Sequence, residues 1–245
     1  MRRSVAGLAA RAGGSAALLA LAGCGSNLGA PEPASEQGRT VLDMWRVLFW
    51  LSAAVGGTVL VLAAIAIVRG RRGDRDELPA QSHGSALLEG VYIAIPLGIV
   101  AGLFVYTLRT DEIVNDEVAD PDVVVEVTGY RWGWRFEYPD HGVLVESIAG
   151  ETPEMVLPVD ADVRIELASS DVIHSFYVPS FLTKRDLIPG LRSHLDVRTT
   201  RVAELHGHCA EYCGLDHSRM DFTVRIVEAD EFDAWADETA RESTR

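Results

Sequence analysis

Cysteine is scarce in this chain, with three thiols among 245 residues. That number cannot build the bridged framework of a small disulfide-held domain. No C-x-x-C pair occurs, which disfavours structural zinc, and no C-x-x-C-H occurs, which excludes a fused c-type cytochrome. Positive charge is also short: 22 Lys and Arg stand against 36 Asp and Glu, a net charge of −14. Without a stripe of clustered Lys and Arg the chain cannot neutralise a phosphate backbone, so nucleic acid is excluded as a partner. No internal repeat is found.

The acidity is uneven. Residues 111–245 carry 12 Lys/Arg and 29 Asp/Glu, a net of −17, whereas the first 110 carry 10 and 7. Such a surface keeps a domain soluble and steers basic partners toward it.

Apolar residues are plentiful at 48%, more than a soluble globule of this size needs. Val47–Val68 runs for twenty-two residues without a charge, enough at ~1.5 Å per residue to cross ~30 Å of hydrocarbon. Gly90–Leu108 is a second uncharged run, of nineteen residues, containing Pro96, Gly98 and Gly102. It reads as a second membrane helix packed on neighbours, with a buried helix of a soluble domain as the alternative. Between the two runs lie Arg69, Arg71, Arg72 and Arg75, so the positive-inside rule places this loop in the cytoplasm and both chain ends outside.

The first residues, "MRRSVAGLAARAGGSAALLALAGCGSN", have the basic, apolar and small-residue layout of a secretory signal. Their "LAGC" ending resembles a bacterial lipoprotein signal, in which cleavage after residue 23 leaves Cys24 as a lipidated first residue. Residues 24–42, rich in Pro, Gly, Ser and Glu, read as an extracytoplasmic tether, followed by a transmembrane hairpin over 43–110.

Beyond residue 110 the pattern turns to alternation. "DVVVEVTGY", "DVRIELASS", "SHLDVRTT" and "DFTVRIVE" place apolar residues at every second position, which predicts an antiparallel sandwich or barrel over 111–228. In 229–245, Phe232, Trp235 and Ala236 recur at helical spacing and predict a terminal amphipathic helix.

One segment concentrates chemistry. "HGHCAEYCGLDHSRM", residues 206–220, gathers two cysteines, three histidines, a glutamate and a methionine. In an exported domain Cys209 and Cys213 could simply be bridged. The neighbouring His217 and Met220 argue instead for a metal, because thiolate, thioether and imidazole together suit copper, with zinc the competing ion. Two thiolates can each bridge two coppers, and a further imidazole is offered by His174 in "SSDVIHSFYVPS".

"HSFYVP" followed by "CAEYCGLDHSRM" resembles the dinuclear copper (CuA) motif of cytochrome c oxidase subunit II, from the first membrane helix through the β domain. The resemblance implies a cupredoxin-like Greek-key sandwich behind a two-helix membrane hairpin. It implies two coppers bound by His174, Cys209, Cys213, His217 and Met220 through side chains and by Glu211 through its carbonyl. The Glu211 carboxylate would also reach a magnesium ion shared with subunit I, where the haems reside. Trp132, in "GYRWGWRFEYPD", matches the tryptophan through which electrons arrive from cytochrome c, although Arg131 and Gly133 replace the usual Gln and Tyr. Trp134 has sandwich core as its competing role. Glu89, in "LLEGVYIAIP", stands where protons enter one uptake pathway, although Tyr92 and Ile93 replace the usual Trp and Thr, and an interfacial anchor is the alternative. "TKRDLIPG" places Asp186 near the interface with subunit I. His206 and His208 occupy positions that are usually Tyr and Gln and read as surface or supporting residues.

The implied activity is electron input to a proton-pumping oxidase of the bacterial cell membrane. Its partners would be subunit I, the other oxidase subunits, membrane lipid, and cytochrome c or a basic cytochrome domain. An extracytoplasmic copper carrier is the main rival. A quinol oxidase subunit would lack these ligands, and a nitrous oxide reductase would need a propeller that 245 residues cannot hold.

Overall fold

The computed structural model describes residues 25, 27–70, 84–147 and 152–243. The signal segment 1–23, Cys24, and Arg71, Arg72 and Arg75 of the basic loop lie outside them. The described chain divides into a helical unit, Asp43–Asp116, and a unit comprising the β strands and the residues up to Leu42.

Helix α1 spans Glu36–Gly70 and α2 spans Ala86–Val114, each longer than the uncharged run within it. Leu60 is 71% exposed and Leu97 63% exposed, so apolar side chains in both helices face outward. That disposition suits a lipid solvent, in which the helix satisfies its own backbone. Ser85 caps α2 by accepting a hydrogen bond from the Leu88 N–H.

Among the described residues, ten strands form two five-stranded sheets. In the first, β1 (Val123–Tyr130) is central, flanked by β2 (Gly133–Tyr138) and then β3 (Val143–Glu146) on one side. On its other side lie β5 (Asp162–Ser169) and β8 (Ser193–Arg198). The second sheet runs β4 (Glu154–Pro158), β10 (Asp221–Val227), β9 (Ala203–Cys209), β6 (His174–Val178) and β7 (Thr183–Leu187).

The expected sandwich is present, but its sheets are mixed rather than antiparallel. β1 pairs parallel with β5, and β4 pairs parallel with β10. The cause is a crossover: β4 and β5 follow one another within the chain yet belong to opposite sheets, so each must find a partner distant in sequence. Alternation sets which face is buried and is silent about strand direction.

Period-two burial is clean on β1 and β5, where every second residue enters the core. The core gathers aromatics toward one end. Phe176 stacks on Phe222 at 4.9 Å between centroids, and Trp134 meets Phe222 edge-on at 5.2 Å. Gly207 is required there, because a Cβ on it would come within 2.2 Å of the Phe222 ring.

The expected tether is the second difference. Ala34 and Ser35 are fully buried, and Leu42 nearly so. The Ala34 N–H donates to the Ser180 carbonyl at 2.8 Å, the Thr200 N–H donates to the Ala34 carbonyl at 3.1 Å, and Ser35 bridges Thr199. A Pro- and Gly-rich composition predicts a free linker, yet small residues also fit where backbone must lie against backbone. The terminal helix α3, Ala229–Ser243, has Phe232 and Ala236 buried and Trp235 edge-on to Tyr138 at 5.2 Å.

Tyr138 joins these layers. Its hydroxyl donates to the Val156 carbonyl at 3.0 Å and accepts from the Val156 N–H at 2.9 Å, with the whole residue buried. Tyr138→Phe removes both bonds and leaves polar backbone without its partner. Urea unfolding should show a loss of about 1–3 kcal/mol.

Candidate metal centre

The donors sit where the aromatic end of the core meets the loops. Strand β9 delivers Cys209 at its last, inward-facing position, and the loop then returns to β10 at Met220. Backbone bonds close that loop: the Cys209 N–H donates to the Met220 carbonyl at 3.0 Å, and the Ala210 N–H to the Ser175 carbonyl at 3.0 Å. The Trp134 indole N–H adds a third, donating to the Met220 carbonyl at 3.2 Å.

Within this frame the side chains converge. His174 Nδ1 lies 3.9 Å from Cys209 Sγ, and the two sulfurs of Cys209 and Cys213 lie 3.9 Å apart. On the far side, Cys213 Sγ is 3.6 Å from His217 Nδ1 and 3.7 Å from Met220 Sδ. The Glu211 carbonyl is 3.2 Å from Cys209 Sγ, while the Glu211 carboxylate belongs to an exposed residue. All the donors the motif singled out are thus brought together, with the sulfurs central and an imidazole at each end.

Both thiols are free and buried. A separation of 3.9 Å is nearly twice the ~2.05 Å of a disulfide. It lies within the span of two sulfurs bound at ~2.3 Å to one metal. The donor atoms of His174, Cys209 and Cys213 all fall within 4.8 Å of one another, so the residues fit a soft metal.

The two thiols are electrostatically unequal. Burial opposes ionisation of Cys209, but hydrogen bonds with His174 and with the backbone at Glu211 and Ser175 outweigh it and bring this thiol down to about 6. Burial, reinforced by the negative charge of Cys209, pushes Cys213 up to about 12. The first proton leaves readily and the second is retained until a cation offsets the second negative charge.

Asp171 is the residue that motif reading missed. One carboxylate oxygen contacts His174 Nε2 at 2.9 Å, and the other accepts from the Arg131 backbone N–H at 2.8 Å. It therefore orients the imidazole and ties it to the turn that presents Trp132. Its only sequence signal is its position three residues before His174, which by itself is weak.

Trp132 is 37% exposed, and its indole N–H donates to the Cys213 carbonyl at 3.2 Å. Gly214, at φ +122°, makes room for that ring, since a Cβ there would lie 3.1 Å from it. Trp134 is fully buried, so the core role applies to it. Asp186 accepts the Ser175 hydroxyl at 2.7 Å, next to His174 in β6. Glu89 lies in the first turn of α2.

A family profile described as cytochrome c oxidase subunit II, periplasmic domain, matches residues 148–227. The cytochrome c oxidase subunit 2 of Alkalihalophilus pseudofirmus is 34% identical over 228 residues, covering 89% of this chain and 65% of that protein. The probable cytochrome c oxidase subunit 2 of Streptomyces avermitilis is 31% identical over 250 residues, covering 84% of this chain and 76% of that one. The chain belongs to the cytochrome c oxidase subunit II family. Among solved structures, the periplasmic domain of Bradyrhizobium japonicum oxidase subunit II is 32% identical, with a TM-score of 0.48 over 51% of this chain and 99% of that domain. Copper binding in the CuA manner is consistent with the family and with the His174, Cys209 and Cys213 cluster. The two long apolar helices suit a membrane-anchored member of the family.

In the metal-free protein, Asp171 supplies a test of this electrostatic frame. Burial acts to raise its pKa, but bonds with His174, Val172 and Arg131 outweigh that and hold it at about 2. A carboxyl depressed by folding stabilises the native state above its unfolded value near 3.8, and that stability fades as pH falls toward about 2. Urea midpoints of the metal-free chain should therefore drop between about pH 4 and pH 2, and Asp171→Asn should flatten that segment of the profile.

Proposed function

We propose that this chain is the electron-input subunit of a proton-pumping cytochrome c oxidase. In this reading the side chains of His174, Cys209, Cys213, His217 and Met220, with the Glu211 carbonyl, hold two coppers. Electrons arrive singly from cytochrome c or a basic cytochrome domain and leave to haem in subunit I, where oxygen becomes water. The observation that carries the reading is the unbonded thiol pair, 3.9 Å apart, with His174 beside one sulfur and His217 beside the other. Held by these residues, the copper centre would supply one-electron redox chemistry suited to soft thiolate and imidazole donors.

The protein's own residues do the rest. Cys209 and Cys213 supply two negative charges from a buried position, and the loop bonds at Met220 and Ser175 hold them in place. Asp171 fixes the His174 tautomer by accepting from Nε2, leaving Nδ1 directed at the sulfur. Core aromatics exclude water from one side. Trp132 offers a route from the surface, since its exposed ring is hydrogen-bonded to the carbonyl of a thiol-bearing residue. The acidic domain, net −17 over residues 111–245, would draw a basic donor toward that ring and lose its pull as salt rises.

The finer assignments are part of the same proposal. The exposed Glu211 carboxylate would meet magnesium at the subunit I boundary, beside Asp186. Glu89 would serve proton uptake. The loop after Arg69 would be cytoplasmic, leaving both termini and the copper domain outside, with Cys24 lipidated. The proposed plan is signal, tether, hairpin, copper domain and terminal helix, with the tether ending before Ala34 and Ser35, which are buried.

Three measurements test the reading. The copper-loaded chain should hold two coppers and show a delocalised mixed-valence EPR spectrum; a single-copper four-line spectrum would remove the ligand assignment. Trp132→Ala should leave that spectrum unchanged and slow electron uptake from cytochrome c by about tenfold or more, equivalent to about 1.4 kcal/mol of barrier. The carrier alternative predicts rapid loss of copper to a chelator, where the oxidase reading predicts slow loss.

A further inference from the structure

Strand β9 has two chemical faces. Leu205, Gly207 and Cys209 point inward and are buried, whereas Glu204, His206 and His208 point outward. The outward histidines are next-nearest neighbours on one face, with ring centroids 5.7 Å apart and planes only 29° from parallel. Register places Asp221 of β10 directly opposite His208, and Asp221 Oδ1 lies 3.4 Å from His206 Nε2. Tyr177 of β6 meets His208 edge-on at 5.2 Å and steadies it, while the His206 side chain is 61% exposed. None of these groups takes part in the electron-transfer proposal, and they occupy the face of the sheet opposite the thiols.

We propose that His206, His208 and Asp221 form a second metal site, for an exchangeable divalent transition ion of the zinc, nickel or cupric class. Two imidazoles and a carboxylate are borderline donors, suited to these ions and poorly suited to calcium or magnesium, which favour all-oxygen shells. Imidazoles at positions i and i+2 of a strand leave from the same face, so a modest rotation of His206 lets both nitrogens reach one ion, with Asp221 completing a third bond. The adjoining strands hold the three residues in register before metal arrives, and solvent supplies the remaining positions. Such a site differs from the inner cluster in hardness, in exposure and in exchange rate. The resemblance places Tyr and Gln at positions 206 and 208, so the site belongs to this chain's own residues.

The test uses the full-length chain in detergent, without a polyhistidine tag, dialysed against micromolar zinc(II) and analysed for both zinc and copper. Wild type should retain one zinc beyond its copper content. His206→Asn and His208→Asn should each weaken that zinc by about tenfold or more, with copper content and the copper EPR spectrum unchanged. Wild type that retains no additional zinc would overturn the proposal. So would zinc retained with equal affinity by wild type and both variants, since other donors would then hold it. A chain that takes up no copper yet binds zinc through these histidines would support this site and count against the copper reading alone.

Discussion

The structure of the metal centre depends on one backbone hydrogen bond, from the Cys209 N–H to the Met220 carbonyl. It is the last rung between β9 and β10, and it turns the twelve-residue segment 209–220 into a closed loop with a donor at each end. Because the sheet on either side is packed on Phe222 and Trp134, the rung sits at the margin of a rigid core rather than in a mobile connection. The same Met220 carbonyl accepts the Trp134 indole, so a core side chain and the ladder converge on one oxygen. A site whose geometry must persist through changes of charge benefits from ligands placed on strand ends.

Around that loop the charges are arranged as a series. Asp171 holds His174, His174 favours the thiolate of Cys209, and that negative charge in turn resists ionisation of Cys213. A bound cation would offset that repulsion and favour the thiolate form of both residues. The second carboxylate oxygen of Asp171 reaches the Arg131 backbone, so the imidazole and the Trp132 turn share one support. Gly214 and Gly129 provide the clearances: a Cβ on the first would press on Trp132 and one on the second on the His174 ring, each at about 3.1–3.2 Å.

Much of this was legible in the residues alone, and the limits are physical. The donor loop could be read because its ligands lie within one turn-rich segment, where spacing along the chain is already spacing in space. β1, β5 and β10 could be read because burial alternates over at least six residues, and β8 because Leu195 and Val197 alternate with polar residues in the sequence, although Asp196 between them is buried as well. β6 could be read as a strand carrying His174, though not its burial of His174, Ser175 and Phe176 in succession, and β7 could not be read, since it carries three charged residues among five. Asp171 was invisible for a different reason: a carboxylate three residues from a histidine acquires meaning only when a turn folds it back onto the ring.

By itself the sequence determined the solvent each segment requires and the chemical softness of the donors, because hydropathy and ligand type are properties of residues wherever they are placed. Only the tertiary structure decided strand direction, the docking of Ala34 and Ser35 on the sandwich, and the meeting of His174 with Cys209 across thirty-five positions. These are relations between distant parts of the chain. Local pattern cannot encode them, since the free energy that selects them comes from packing the whole core at once.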